Sequence, residues 1–374
     1  MKIISRYKVD LLLLISLLIF FVLSIVSINS AQILIGENTL VSRQIIWYLI
    51  GFILIFIIMN IGGNILFKNA WILYIIGVVS LILVLIFGEP INNSRCWFKI
   101  PGIGNKQPSE FMKIILIIIL GKMINDFKNK YNTPSVFQEF KFLLKILFIV
   151  LIPSILTFLE PDTGVVLIYL IITFIMLFIS GIRYRWFIIV IILLLLSIGS
   201  ILTIYFIDNN LFIKIFGSTF FLRVDRILDW KSGIGYQLEN GITAIGSGGL
   251  LGYGFNNTPI YFPEPQTDFI FAVFSNNFGF IGSVFLISII VLFDIRLIII
   301  ALNSKKNINK YIISGIIGML IYQQFQNIGM TLGIMPITGI TLPFISYGGS
   351  SLLSYMIMMG IIFSISNEEL RYRN

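Results

Sequence analysis

Eighteen successive residues, Leu11 to Ile28 (LLLLISLLIFFVLSIVSI), carry no charge. A helix needs about this length of apolar chain to cross the hydrocarbon core of a bilayer. The preceding "MKIISRYK" resembles the start of a signal peptide, but the run is longer than a usual h-region and more such runs follow it. It reads as a retained first helix. Ten stretches of this kind occur, near 10–28, 44–62, 71–88, 109–125, 142–159, 163–181, 186–207, 268–293, 311–332 and 347–366. Composition agrees: 57% of the residues are hydrophobic, 11% are charged and the mean hydropathy is +0.99. A soluble domain carries about 25% charge. The expectation is an all-α polytopic membrane protein, residues 1–374 forming a single bundle of about ten transmembrane helices.

The longest segment between spans covers roughly 208–267, before helix 8. Long connections in compact proteins tend to be functional. Orientation follows from the Lys and Arg beside the spans. With the N-terminus in the cytoplasm, 17 of the 26 basic residues and only 6 of the 17 acidic ones fall inside. Both termini are then cytoplasmic, and the 208–267 loop is extracellular. The net charge of +9 is largely this asymmetry. It gives no reason to expect a nucleic-acid partner; membrane lipids are the expected surroundings.

The chain has no histidine, which removes the commonest general base and zinc ligand. Acid–base chemistry is left to Asp, Glu, Lys, Tyr or the single Cys96. One cysteine cannot form an internal disulfide, and isolated thiols are usually inert.

The unusual polar residues gather on the outer side. In "NNSRCWFKIPGIGNKQPSEFMK" (92–113), Pro108 and Glu110 suit the first turn of a helix. Lys113 lies one turn deeper and shares a face with Glu110. A charge within a span is costly, so Lys113 either snorkels to the headgroups or serves a function, and function is favoured. In "LEPDTG" (159–164), Asp162 caps the next helix. "FFLRVDRILDW" (220–230) has the pattern of an interfacial amphipathic helix and contains Arg223. The glycines of "AIGSGGLLGYG" (244–254) read as a flexible or re-entrant turn. In "FPEPQTDFIFAVF" (262–274), Thr267 is a fair N-cap and Asp268 falls in the first turn, where a surface acid is favoured by the helix dipole. Finally, "NIGMTLGIMPITGITLPFISYGGSS" (327–351) contains Pro336 and Pro343 and cannot be one helix. It reads as an outer loop folded into the bundle over a cavity, with Ser346, Tyr347, Gly348 and Gly349 opening the last span.

The 327–351 stretch resembles the signature of the SEDS family, the RodA/FtsW/SpoVE proteins of bacterial cell-wall synthesis. "QPSEFMK" (107–113), "EPDTG" (160–164), "GYQL" (235–238), "AIGSGG" (244–249) and "PEPQTDFIFA" (263–272) fit the same family in the same order. "NIGM", "ITGI" and "LPF" lean towards RodA; "PEPQTD", "SRCW" and Thr341 lean towards SpoVE or FtsW. The balance is RodA-like more than FtsW-like. The chain departs from many relatives at Asn276 and Asn277, where two acids are common, and at Cys96, where Arg often precedes the Trp.

The resemblance implies a ten-span glycosyltransferase of the bacterial plasma membrane that polymerises lipid II on the outer face. It also implies a class B penicillin-binding protein as partner. It places the catalytic acid on Asp268 and the acid–base pair of the "QPSE..K" motif on Glu110 and Lys113. The expected substrate-binding set is Glu110, Lys113, Arg95, Arg223, Ser346 and Tyr347. A divalent cation, Mg2+ or Mn2+, is the one cofactor the chemistry invites, with no dedicated metal ligands in the sequence. A lipid II flippase or other transporter is the main alternative. A transporter should carry ionisable residues near the midplane, whereas here they cluster at the outer face. A non-catalytic scaffold for the transpeptidase is the third reading.

Overall fold

The computed structural model describes residues 9–91, 94–100, 104–218, 220, 221, 224 and 235–372. Each of the ten apolar stretches is helical in it. In chain order the elements are α1 (Leu11–Ile35), α2 (Leu40–Ile61), α3 (Gly63–Lys68), α4 (Ala70–Phe87), β1 (Glu89–Ile91), β2 (Ser94–Ile100), β3 (Gly104–Lys106), α5 (Pro108–Lys130), α6 (Val136–Leu159) and α7 (Thr163–Ile179). They continue with α8 (Tyr184–Ile207), α9 (Asn209–Phe216), α10 (Tyr236–Ser247), α11 (Ile270–Asn303), α12 (Asn307–Thr331) and α13 (Gly349–Tyr372). By length and composition, seven of these helices can cross a membrane, and α7 is a shorter apolar helix. α5 and α13 carry polar residues inward, as do α11 and α12.

Local sequence sets the helix ends. Asp10 accepts the Leu13 N–H at 3.4 Å to open α1, and Gly36 (φ +72°) closes it. Ser135 and Gln138 exchange side-chain and backbone bonds as a capping box at α6. Pro108 occupies the first turn of α5, where its missing N–H costs nothing.

Without a hydrophobic drive between helices in lipid, packing and interhelical hydrogen bonds must hold the bundle. α5, α12 and α13 form its centre, and α13 packs along α2 and α5. Small residues admit large neighbours there. A Cβ at Gly51 would lie 2.5 Å from Met356 Cγ, and one at Gly77 would lie 2.6 Å from Met112 Sδ. α8 is the opposite case, burying only Phe187; its first turn meets α6 and α7 through Trp186 and Phe187, and beyond that it packs against α9.

Two features differ from the sequence reading. β1, β2 and β3 form a three-stranded antiparallel sheet in that order, with Glu89 opposite Trp97 and Lys99 opposite Asn105. The chain is thus helical with a small sheet. The 208–267 segment is also not simply a loop, since it holds α9 and α10. The amphipathic 220–230 stretch lies mostly outside the described residues, and Arg223 is among those left out.

Candidate active site

Asp268 sits in a turn just before α11, not in its first helical turn. Phe269 occupies the N-cap position. Thr267 does not cap the helix; its hydroxyl donates to Glu264 Oε2 at 2.9 Å. Pro263 and Pro265 flank Glu264 at the start of this turn.

Three successive carbonyls hold the acid in place. The Gln266 carbonyl accepts the Tyr347 N–H at 2.8 Å, and the Thr267 carbonyl accepts the Ser346 hydroxyl at 2.7 Å. The Asp268 carbonyl accepts Asn327 Nδ2 at 2.9 Å. Asn327 Nδ2 also reaches the Ile340 carbonyl at 2.8 Å, tying α12 to the irregular segment beyond it. Ser346 accepts the Leu342 N–H at 2.9 Å, so its hydroxyl is committed to backbone on both sides. The 332–348 segment does pack into the bundle, with Ile340, Leu342, Phe344 and Ile345 buried.

The Asp268 carboxylate faces Gly339 (φ +71°), where an added Cβ would lie 3.7 Å from Oδ2. Among the described residues, no donor stands within hydrogen-bond distance of that carboxylate. Burial pushes its pKa up to about 7, with Glu264 and Asp162 adding to the shift. A carboxyl so placed exchanges its proton near neutrality, which is what a general base requires.

Glu110 and Lys113 meet as the helical spacing predicts, Nζ to Oε2 at 2.7 Å. Lys113 has 0% exposure, so it does not snorkel. Its ammonium lies 5.4 Å from the centre of the Tyr355 ring. Asp162 caps α7 through the Val165 N–H at 3.1 Å and also accepts Gln107 Nε2 at 2.7 Å. Burial raises its pKa to about 6 against the opposing Val165 bond. The Gln107 backbone N–H in turn donates to the Ser350 hydroxyl oxygen at 3.0 Å. α5, α7 and α13 are thereby laced together at the end of the bundle where Asp268 lies.

Arg95 is exposed on β2. Cys96, its neighbour, is buried and donates to the Glu160 carbonyl at 2.7 Å, and burial pushes its thiol pKa well up. Asn276 and Asn277 are also buried. Asn276 Nδ2 donates to the Ala244 carbonyl at 2.7 Å, and Asn277 Oδ1 accepts the Thr258 hydroxyl at 2.9 Å. An ionised acid at 276 could not make the first of these bonds, because a carboxylate only accepts.

The sequence reading missed Gln107, Asn327 and Lys106 as parts of this end. Lys106 Nζ stands 3.3 Å above the Trp47 ring with no acceptor among the described residues, and burial lowers its pKa to about 8. The visible signal was a basic residue directly before the "QPSE" helix start.

A family model described as "Cell cycle protein", covering FtsW, RodA and SpoVE, matches residues 5–371. The chain is 34% identical over 293 residues to a probable peptidoglycan glycosyltransferase FtsW of Coxiella burnetii, spanning 75% of this chain and 73% of that protein. It is 32% identical to stage V sporulation protein E of Bacillus subtilis, over 96% of both chains. Among solved structures, a chain of a peptidoglycan synthase complex that coordinates polymerization and crosslinking superposes with TM-score 0.80 at 25% identity, covering 97% of this chain and 98% of that one. The rod shape determining protein RodA of Thermus thermophilus superposes with TM-score 0.70 at 27% identity, with the same coverage. The chain belongs to the FtsW/RodA/SpoVE family of cell cycle proteins.

Proposed function

We propose that this chain is a peptidoglycan glycosyltransferase that polymerises lipid II at the outer face of the plasma membrane, with Asp268 as base. The observation that carries this reading is the Asp268 carboxylate itself. Its backbone is clamped on three carbonyls, its side chain is unpaired among the described residues, and burial brings its pKa to about 7. Relatives named as probable peptidoglycan glycosyltransferases support the reaction class.

In the step proposed, the acceptor sugar's 4-hydroxyl gives its proton to Asp268 as its oxygen attacks the donor's anomeric carbon. The bond from that carbon to the diphosphate breaks, and the diphosphate leaves with the electron pair. One displacement inverts the centre. A diphosphate needs less acid help than an alkoxide, so a single carboxylate suffices. Arg95 and Arg223 are the cations assigned to the leaving group. Lys113, wholly buried and oriented by its bond to Glu110, is the third cation assigned there. Ser346 and the Tyr347 backbone act by holding the turn that carries Asp268.

No three Asp, Glu or Cys side chains converge as a metal cage among the described residues. A divalent cation would therefore be held chiefly by the diphosphate oxygens, as magnesium commonly is in phosphate sites, which leaves Asp268 free to take the proton. A class B penicillin-binding protein as partner is supported by the likeness to a chain of a synthase complex.

Purified protein incubated with lipid II should form glycan polymer. The Asp268→Ala variant should lose about 100- to 10,000-fold in rate, the usual worth of a general base. The base works only when ionised, so kcat/KM should fall as pH drops through about 7, the value to which burial pushes Asp268. A wild-type rate in Asp268→Ala rules out the base assignment. Wild-type protein that moves lipid II across vesicles without making polymer points to a flippase instead.

A further inference from the structure

A cavity of about 460 Å3 opens between the last turns of α11 and α13, at the end of the bundle away from Asp268. Arg296, which lines it, lies roughly 24 Å along α11 beyond the non-helical Gly279, at 1.5 Å per residue. The volume is within the range of ligand sites. Its wall carries both signs of charge, Arg296 and Lys305 against Glu369, together with apolar Ile299, Ile300 and Leu370.

Arg296 and Glu369 are fixed before any ligand arrives. Arg296 Nε donates to both Asp10 oxygens at 3.2 and 3.1 Å, and Nη2 donates to Oδ2 at 2.6 Å. Ser366 donates to the same Oδ2 at 3.2 Å. These bonds use part of the guanidinium; its other N–H donors have no acceptor among the described residues. Glu369 Oε1 accepts the Ser304 hydroxyl at 3.1 Å and the Lys305 N–H at 2.9 Å, and Oε2 has no partner among the described residues. Beside the cavity, α11 turns Ile295, Ile298 and Leu302 outward, all exposed.

We propose that this cavity binds the headgroup of a zwitterionic aminophospholipid. The phosphate sits on Arg296 and Lys305, the ammonium donates to Glu369, and the acyl chains follow Ile295, Ile298 and Leu302. A purely anionic headgroup would meet the Glu369 carboxylate unpaired. A choline headgroup has no N–H to donate to it. The exposed apolar stripe favours a lipid over a soluble phosphate ester of the same chemistry. The proposal does not depend on the reaction assigned to Asp268.

The test is native mass spectrometry of the delipidated full chain in detergent. It is titrated with phosphatidylethanolamine, phosphatidylcholine and phosphatidylglycerol of matched chains, and with free phosphoethanolamine. Phosphatidylethanolamine should bind about tenfold more tightly than the other two, the worth of one charge-assisted bond. Glu369→Gln keeps the acceptor for Ser304 and the Lys305 N–H and should erase the preference. Lys305→Gln, on the phosphate side, should weaken all three lipids together. Equal binding of the three lipids by the wild type overturns the proposal, as does an undiminished preference in Glu369→Gln. Free phosphoethanolamine binding as tightly as the lipid overturns the lipid occupant.

Discussion

Glu160 is the most exposed to risk of the buried acids. Its side chain has 0% exposure, and neither carboxylate oxygen has a hydrogen-bond partner among the described residues. Burial, with help from Asp162, raises its pKa from 4.5 to about 8. Between those values the folded protein keeps a proton that the unfolded chain releases. Stability from this group is therefore present at low pH and lost as pH rises towards 8. Glu160→Gln should flatten the fall of the thermal midpoint between pH 5 and 8; an unchanged slope would refute the assignment. Lys113 and Glu110 present the opposite situation, a buried charge with its partner at 2.7 Å. Lys113→Met alone leaves Glu110 unpaired and should cost about 3–5 kcal/mol, while the Glu110→Gln/Lys113→Met double variant should recover most of it. Equal losses in single and double variants, measured by unfolding in detergent, would mean the pair contributes nothing as a pair. Sequence spacing made this pair readable, since i,i+3 residues on one helix must meet. The Asp268 clamp was not readable, because Asn327 and Ser346 reach it from 59 and 79 residues away through backbone carbonyls that leave no side-chain pattern.

Elements recognised by a local period were legible, and those built by distant backbone contact were not. The glycines of 244–254 read as a flexible turn, yet 244–247 end α10 and the rest interlocks with a break in α11. Gly279 (φ +62°) interrupts that helix. Around the break, the Asn276 and Asn277 carbonyls accept the N–H groups of Tyr253 and Gly254, both at 3.0 Å. Phe280 and Ile281 donate back to the carbonyls of Gly249 and Leu250 at 2.8 and 3.1 Å. The glycines thus give backbone access to backbone. A Cβ at Gly252 (φ +77°) would lie 2.2 Å from the Asn277 carbonyl oxygen, whereas one at Gly217 (φ +85°) meets nothing within 4 Å. Gly217 has ψ 157°, a backbone region that essentially only glycine adopts, so Gly217→Ala should cost that strain alone, about 1–3 kcal/mol. Gly252→Ala should cost clearly more and loosen the turn before Asp268. Matching losses in the two variants would show that the interlock is not tight. The sheet of β1, β2 and β3 escaped the sequence reading for a similar reason: its strands are short and its one buried cysteine makes no alternating pattern.

For the whole molecule, ten apolar runs and one charge asymmetry made the bundle legible, because lipid allows a spanning chain little besides helices. The same asymmetry makes a directional prediction. α5 has 23 residues, roughly 35 Å at 1.5 Å per residue, enough to separate its two ends by a bilayer core. Its first end carries Gln107, bonded to Asp162, and electrostatic coupling joins Asp162 to Asp268. Its far end leads to exposed Asn132 in the turn before α6. Asn257, also exposed, lies in the chain between α10 and Asp268. If the basic residues beside the spans stay in the cytoplasm, Asn257 faces outward and Asn132 inward. The native thiol is well suited to a labelling test, since Cys96 is buried and Cys96→Ser keeps a donor for the Glu160 carbonyl. In that background, a membrane-impermeant maleimide added to intact cells should label Asn257→Cys and leave Asn132→Cys unlabelled until the membrane is opened. The reverse pattern would put Asp268 on the cytoplasmic side. The lipid-linked donor would then be polymerised, if at all, before it crosses the membrane, and the glycosyltransferase reading would have to give way to one in which this chain moves the lipid.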